Sequence, residues 1–202
     1  MRPKHTLLLA VAGVLALVAA VPGAIGCAGQ EEPEAPTTTT LELEVPEFDV
    51  TSSAFADGEP ITERHTADGE NLSPPLSWSG HPEGTDGFAL VVDDPDAPRE
   101  EPFVHWVVYG LPAEVTSLPE GIPPGEAPEA LRGGVHGRND FGNRSYDGPA
   151  PPEGSGPHRY RFTVYALASP PELESGLTKS ELLAEISQSV IARGRLIGIY
   201  ER

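Results

Sequence analysis

The stretch GPAPPEGSGPHRYRFTVYAL, Gly148–Leu167, joins a rigid loop to a β-strand. The loop, Gly148–Pro157, holds four prolines and three glycines. Proline fixes the backbone φ angle, and glycine admits conformations that other residues avoid. Tyr160, Phe162 and Val164 then alternate with other side chains, which is the period of a strand buried on one face. The stretch therefore predicts a loop of fixed shape that leads directly into a core strand.

Other apolar segments of strand length lie on both sides of this stretch. They are Leu41–Val45, Phe88–Val92, His105–Leu111 and Arg195–Tyr200. Long connections rich in glycine and proline separate them, which is typical of a domain built mainly from strands.

Only one segment has the pattern of an α-helix. Thr178 and Glu181 have the spacing of a capping box. An apolar stripe follows, made of Leu182, Leu183, Ile186, Val190 and Ile191, and Gly194 is interpreted as the stop signal. Many strands and one late helix predict a mostly β domain, a β-sandwich with one short C-terminal helix packed at one end.

The first 40 residues differ in composition from the rest of the chain. Arg2 and Lys4 precede an apolar run that leads to Cys27, so residues 1–27 are interpreted as a signal peptide. Residues 28–40 are rich in Glu, Pro and Thr and have no large apolar side chain, which predicts a disordered tether. Residues 41–202 then form one domain of ordinary size.

Cys27 is the only cysteine of the chain. The sequence AIGC at this point resembles the lipobox of bacterial lipoproteins, in which the cysteine is acylated. We therefore expect an exported lipoprotein anchored through Cys27 on the outer side of the cytoplasmic membrane, with a secreted soluble form as the alternative. The formal net charge of −18 argues against a nucleic-acid partner, because a strongly negative chain repels phosphate backbones.

Three clusters contain side chains that can carry chemistry. DDPDAP, Asp93–Pro98, follows an apolar strand and places carboxylates on a rigid turn. His105 and Trp106 are neighbours on a predicted strand, so we expect them to face opposite sides. His158 and Tyr160 share a face, whereas the intervening Arg159 points away and is expected to pair with a surface acid.

These motifs in this order resemble the phosphatidylethanolamine-binding protein family, and in particular its bacterial branch, often described as Raf-kinase-inhibitor-like. DPDAP, HWVVYGLP, NDFG, the GP–PP–HRY stretch and LIGIY carry the resemblance, which extends from about Val45 to Tyr200. The resemblance implies a small pocket that binds phosphate, acetate or the phosphoryl headgroup of a phospholipid. It does not extend to kinase regulation, because this chain lacks the C-terminal elements of the kinase-regulating relatives.

The resemblance also implies which residues form that pocket. They are Asp94, Asp96, His105, Gly148, Ala150, Pro151, His158 and Tyr160. Ala150 stands where some relatives have glycine, which alters the freedom of the loop. Imidazole N–H groups and the tyrosine hydroxyl can donate hydrogen bonds to an anion, while Asp94 orients one histidine. We expect no cofactor and no metal.

Three other functions remain open at this point. A hydrolase is the less favoured, because the sequence has no G-x-S-x-G motif and no serine plainly beside a histidine. A metal site formed by His105, His158 and an aspartate would have the right ligand types but lacks a closely spaced histidine pair. A protein-binding or protease- or kinase-inhibitor-like module would use the loops of the domain, and its acidic surface would favour a basic partner.

Overall fold

The computed structural model describes residues 45–202, so the predicted signal peptide, Cys27 and the tether lie outside the described residues. Eight strands and one α-helix follow in the described part of the chain. The strands are β1 (Glu47–Thr51), β2 (Leu76–Ser79), β3 (Gly87–Asp94), β4 (Phe103–Pro112), β5 (Ser117–Leu118), β6 (Val135–His136), β7 (His158–Leu167) and β8 (Val190–Tyr200), and the helix is α1 (Lys179–Ile186). Short 3₁₀ turns lie at Glu63–His65 and Glu129–Leu131.

The strands form one continuous sheet in the order β5-β2-β1-β8-β7-β3-β4-β6. Neighbours pair antiparallel except β1 and β8, which are parallel. The rings of Trp78 on β2 and Phe88 on β3 lie 5.4 Å apart, although their strands are four places apart and would be about 19 Å apart in a flat sheet. The sheet therefore curls around its own core. The prediction of a mostly β domain with one short helix is confirmed, but a single curled sheet replaces the two packed sheets of a sandwich.

The two faces of the sheet bury different clusters. The enclosed face holds the larger core, which includes Trp78, Phe88, Leu90, Val92, Trp106, Tyr160, Phe162 and Leu196. The outer face holds a smaller cluster that includes Ala89, Val91, Val107, Tyr109, Leu182 and Ile186. Helix α1 covers this outer cluster, so β3 and β4 are buried on both sides. That explains why their sequences are almost continuously apolar.

The helix begins as predicted and ends earlier. Thr178 and Glu181 form the predicted capping box, in which Glu181 also receives a hydrogen bond from the Thr178 backbone N–H. Val190 and Ile191 belong to β8, so assigning them to the helix was wrong. Gly194 is not a stop signal either. It lies in mid-strand, where an added Cβ would be 2.6 Å from the Phe48 carbonyl oxygen, so glycine permits the close approach of β1.

A buried carboxylate fixes α1 to the sheet. Asp93, at the end of β3, accepts two hydrogen bonds from the guanidinium of Arg161 at 2.7 and 2.9 Å and a third from the ammonium of Lys179, the first residue of α1. Burial alone would raise the pKa of Asp93, but the two cations outweigh it and hold that pKa below its ordinary value. Asp93 thus links two strands and the helix through one charge.

Replacing Asp93 with Asn tests this link. A carboxyl group with a lowered pKa stabilises the fold above its unfolded pKa of about 3.9, and the stabilisation is lost as the pH falls through the folded pKa. We expect Asp93→Asn to lower the free energy of unfolding by about 2 kcal/mol at pH 7, with the difference shrinking at pH 3. Urea unfolding at both pH values measures the two quantities.

The matched control is Asp96→Asn, because Asp96 also pairs with an arginine but is more exposed. Hydrogen bonds from Arg159 lower the pKa of Asp96 to about 2, yet an exposed pair contributes little to stability. Equal losses at pH 7 for the two variants, or an Asp93→Asn loss that does not change with pH, would contradict the assigned role.

Candidate functional site

A cavity of about 310 Å³ opens at the end of the enclosed face of the sheet. Three strand ends and two loops supply its walls. The lining residues are Asp94, Ala97, Pro98, Arg99, Phe103, His105, Phe141, Ala150, Pro151, Pro152, His158 and Tyr160. Six of the eight predicted pocket residues are among them, and these come from four separate segments of the sequence.

A β-bulge in β4 directs His105 into the cavity. Val92 pairs with Trp106, but the next residue, Asp93, pairs with Val104, so His105 is the extra residue. Val104 and Val107 both contact the outer cluster, which leaves His105 and Trp106 together on the enclosed face. The prediction that they face opposite sides was wrong, because a bulge breaks the period of two.

Hydrogen bonding fixes the tautomer of His105. Its Nδ1 lies 2.6 Å from the Asp147 carbonyl oxygen, so Nδ1 carries the proton and donates it. Burial lowers the pKa of the imidazole, and the hydrogen bond to the Asp147 carbonyl and the nearby carboxylates only partly oppose this. The ring is therefore neutral at pH 7, and its Nε2 is an acceptor.

A buried asparagine holds the loop that positions His105. The amide of Asn139 donates to the carboxylate of Asp147 and to the backbone carbonyls of His105 and Ser145. Its side-chain oxygen accepts from the backbone N–H groups of Phe141 and Asn143 at 3.1 and 2.9 Å. One side chain thus satisfies five polar groups, which makes the 139–147 loop a rigid wall.

The second histidine forms a buried pair with the carboxylate of the DPDAP motif. His158 Nδ1 lies 2.7 Å from Asp94 Oδ2, and both side chains are about 95% buried. The other oxygen of Asp94 accepts from the Asp96 backbone N–H at 2.8 Å. His158 Nε2 lies 3.0 Å from the Ser155 hydroxyl. The imidazole is therefore held at both nitrogens.

The hydroxyl of Tyr160 is buried and makes no hydrogen bond of ordinary geometry in the described part of the chain, although the Asp94 carboxylate and the backbone of Ala150 lie near it. Its ring stacks edge-on with that of His105, with 5.2 Å between centroids. Burial, followed by the charge of Asp94, raises the pKa of the phenol, so the group stays protonated. A buried hydroxyl without a good hydrogen bond costs free energy, and this one belongs to a residue that lines the cavity.

Two predicted pocket residues lie outside the cavity lining. Asp96 forms a two-point ion pair with Arg159, at 2.6 and 2.8 Å, and so joins the turn after β3 to the start of β7. This also confirms the expected surface partner of Arg159. Gly148 donates its N–H to Asn71 Oδ1, and an added Cβ would be 2.6 Å from the His65 carbonyl oxygen. Both residues therefore hold neighbouring wall segments in place without lining the cavity themselves.

Four further residues belong to this site and were not predicted from the sequence as site residues. Arg99 contributes a guanidinium that lies 5.1 Å from the ring centroid of Phe103 and pairs with Asp140 at 2.8 Å. Phe141, within the NDFG motif, is 49% exposed and is the one exposed large apolar side chain among residues 45–202. Arg99 and the two phenylalanines form the rim. The fourth residue, Ser155, lies against His158.

Residues 45–202 contain neither a candidate metal cluster nor a candidate membrane-spanning helix. No group of three or more His, Cys, Asp or Glu side chains there has an arrangement that could hold a metal ion. Within the same residues, no helix has the length and apolar character needed to cross a bilayer.

Known proteins are similar to this chain in sequence and in fold. The chain is 42% identical over 204 residues to a UPF0098 protein of Mycobacterium tuberculosis, covering 98% of this chain and 95% of the relative. A second protein of that organism carries a name that proposes a lipoprotein, LppC. It and this chain are 38% identical over 205 residues, which cover 98% of this chain and 97% of that protein. The crystal structure of Escherichia coli YbcL, described as a member of the mammalian PEBP family, matches with a TM-score of 0.70 and 37% identity, over 77% of this chain and 99% of that one.

The sequence model of one family matches most of the described domain. This family is described as phosphatidylethanolamine-binding protein, and the match spans residues 51–201. Together with the likeness to YbcL, it confirms the resemblance inferred from the motifs. The chain belongs to the phosphatidylethanolamine-binding protein family.

Proposed function

We propose that the cavity binds a small anionic group, a phosphoryl group such as that of a phospholipid headgroup. The observation that carries the proposal is the buried hydroxyl of Tyr160, a cavity-lining residue, which makes no hydrogen bond of ordinary geometry within residues 45–202. A hydroxyl in this position gains a strong hydrogen bond when an oxyanion enters, because bonds to charged acceptors contribute more than neutral ones. The cavity volume of about 310 Å³ also suits a small ligand.

The charges around the cavity favour a ligand with both a negative and a donor group. Arg99 at the rim is the one cation among the lining side chains whose charge does not depend on pH, and Asp94 is the one carboxylate among them. The neutral His105 presents an acceptor, which needs a donor from the ligand. A zwitterionic headgroup supplies both, since its phosphodiester accepts from Tyr160 and Arg99 while its ammonium group donates. Binding rather than turnover is the role we assign to Arg99, His105 and Tyr160.

Removing the Tyr160 hydroxyl tests the proposal directly. We expect Tyr160→Phe to weaken the binding of glycerophosphoethanolamine to the full chain by about tenfold or more, because the ligand loses a charge-assisted hydrogen bond. Amide shifts in an NMR titration give the affinity and locate the site.

Tyr200→Phe is the control, because the Tyr200 hydroxyl lies on the neighbouring strand but donates to Asp68 at 2.8 Å. The Tyr200→Phe variant should bind glycerophosphoethanolamine with the same affinity as the parent. Shifts that avoid the cavity, or equal affinities for all three proteins, would refute the anion site and favour a protein-binding role for the loops.

The pH dependence of binding provides a second test. His105, which is neutral at pH 7, faces Asp94, the Asp147 carbonyl, Tyr160 and the rim. As the pH falls towards its lowered pKa, the ring gains a positive charge that attracts a phosphodiester. Dimethyl phosphate is a phosphodiester without the ammonium group that needs the neutral ring. It keeps a constant charge between pH 5 and 8, so the ligand adds no titration of its own.

We expect little change in affinity between pH 8 and 7 and a gain that develops as the pH is lowered further. Isothermal titration calorimetry measures it, and His105→Asn, which loses the titrating ring, should lack the gain. A parent affinity that does not change with pH, or that rises with pH, would contradict this role of His105.

We also propose that the domain works at a membrane surface, held by an acyl anchor at Cys27. The AIGC sequence and a relative named for a lipoprotein support this. We expect the full chain expressed in a bacterial host to fractionate with membranes and Cys27→Ser to become soluble. Mass spectrometry of the N-terminal peptide gives the modification, and an unmodified Cys27 would exclude the anchor.

A further inference from the structure

Ser155, His158 and Asp94 form a linear chain of hydrogen bonds. Ser155 Oγ lies 3.0 Å from His158 Nε2, and His158 Nδ1 lies 2.7 Å from Asp94 Oδ2. A nucleophile, a base and a carboxylate that orients the base have this connectivity in serine hydrolases. The connection reaches from β3 to the loop before β7, so the three side chains meet only in the folded protein.

The loop around Ser155 presents its hydroxyl to the histidine. Gly154 and Gly156 have φ angles of 74° and 83°, a region that favours glycine. Between them, Ser155 closes a turn by donating its backbone N–H to the Pro152 carbonyl at 3.1 Å. Ser155 itself is exposed, whereas His158 and Asp94 are buried. An accessible hydroxyl therefore faces a preorganised base.

The backbone next to Ser155 offers a donor for an oxyanion. The N–H of Gly156 takes part in none of the backbone hydrogen bonds of the loop. In hydrolases with a nucleophilic serine, the N–H of the residue after the serine is one donor of the oxyanion hole. Gly156 occupies that position relative to Ser155.

The single proton of Ser155 has two acceptors. Its Oγ lies 2.8 Å from the Pro152 carbonyl oxygen as well as 3.0 Å from His158 Nε2. When His158 donates Nδ1–H to Asp94 and carries no proton on Nε2, that nitrogen can accept. A rotation about the Cβ–Oγ bond then moves the proton from the carbonyl to the base, so the hydroxyl switches between a resting and a reactive orientation.

We propose that Ser155 is the nucleophile of a serine esterase site with His158 as its base. The Ser155 oxygen attacks the ester carbonyl and its proton passes to His158 Nε2. The ester C–O bond breaks, and the leaving alcohol takes that proton. Water then attacks the acyl-serine, His158 accepts a proton from the water and returns it to Ser155, and a carboxylic acid leaves.

The neighbouring cavity indicates the class of ester. Pro152 and His158, on either side of Ser155, line the cavity, and its other walls are mostly apolar side chains. They include Ala97, Pro98, Phe103, Phe141 and Pro151. A short apolar acyl group fits this surface, so acetyl and butyryl esters are the substrate class. Ser155 does not itself line the cavity, so replacing it tests the esterase without removing a residue of the proposed anion site.

The test combines turnover with covalent labelling of the full chain. We expect hydrolysis of 4-nitrophenyl acetate and butyrate above the buffer rate, and labelling by a fluorophosphonate that peptide mass spectrometry maps to Ser155. Ser155→Ala should abolish labelling and lower turnover by about 100-fold or more. His158→Gln should do the same. Asp94→Asn should lower the rate of ester hydrolysis, and circular dichroism checks that this variant is folded.

Ser187→Ala is the matched control, because the exposed Ser187 hydroxyl also donates to a carbonyl three residues earlier, that of Ala184 at 2.9 Å. Its turnover and labelling should equal those of the parent. No labelling of the parent, labelling at another residue, or turnover that survives in Ser155→Ala would overturn the proposal. Amide shifts with glycerophosphoethanolamine in Ser155→Ala show separately whether the anion site is intact.

Discussion

The antiparallel pairing of β3 with β7 is the constraint on which the rest of the site depends. It brings the two consecutive aspartates at the end of β3 beside the first residues of β7. Asp94 and His158, which form a hydrogen bond, are 64 residues apart in the sequence. Because neighbours on a strand face opposite sides, the two carboxylates have different roles. Asp93 binds Arg161 and the first residue of α1 on the outer face, and Asp94 holds His158 on the enclosed face. One strand end thus anchors the helix and orients the site.

The period of two predicted much of this arrangement from the sequence. It placed His158 and Tyr160 on one face and Arg159 on the other, and the capping box at Thr178 located the start of the helix. Other features depend on pairing that no local pattern encodes. The bulge at His105 follows from a register shift against β3, and Gly194 is needed because β1 packs closely on β8. The contact of Ser155 with His158 depends on the path of a loop flanked by two left-handed glycines.

The site combines two uncharged buried side chains with a charged rim. Burial keeps His105 uncharged and Tyr160 protonated, so these two residues offer one acceptor and one donor. Arg99 lies over Phe103 at the edge and brings the cation that an anion needs. The imidazole of His158 is held by Asp94 beside this interior, where the proposed anion site and the proposed esterase meet. An anion in the cavity would then compete with the acyl group of an ester.

NMR observation of the histidine ring nitrogens tests whether His105 Nε2 and the Tyr160 hydroxyl face a ligand-binding cavity. Long-range ¹H–¹⁵N NMR spectra of the full chain should show protonated Nδ1 and unprotonated Nε2 in His105 at pH 7. Addition of glycerophosphoethanolamine should shift the His105 Nε2 resonance strongly, and the shift should weaken in Tyr160→Phe. A His105 ring protonated at Nε2, or an Nε2 resonance unmoved at saturating ligand, would contradict the account.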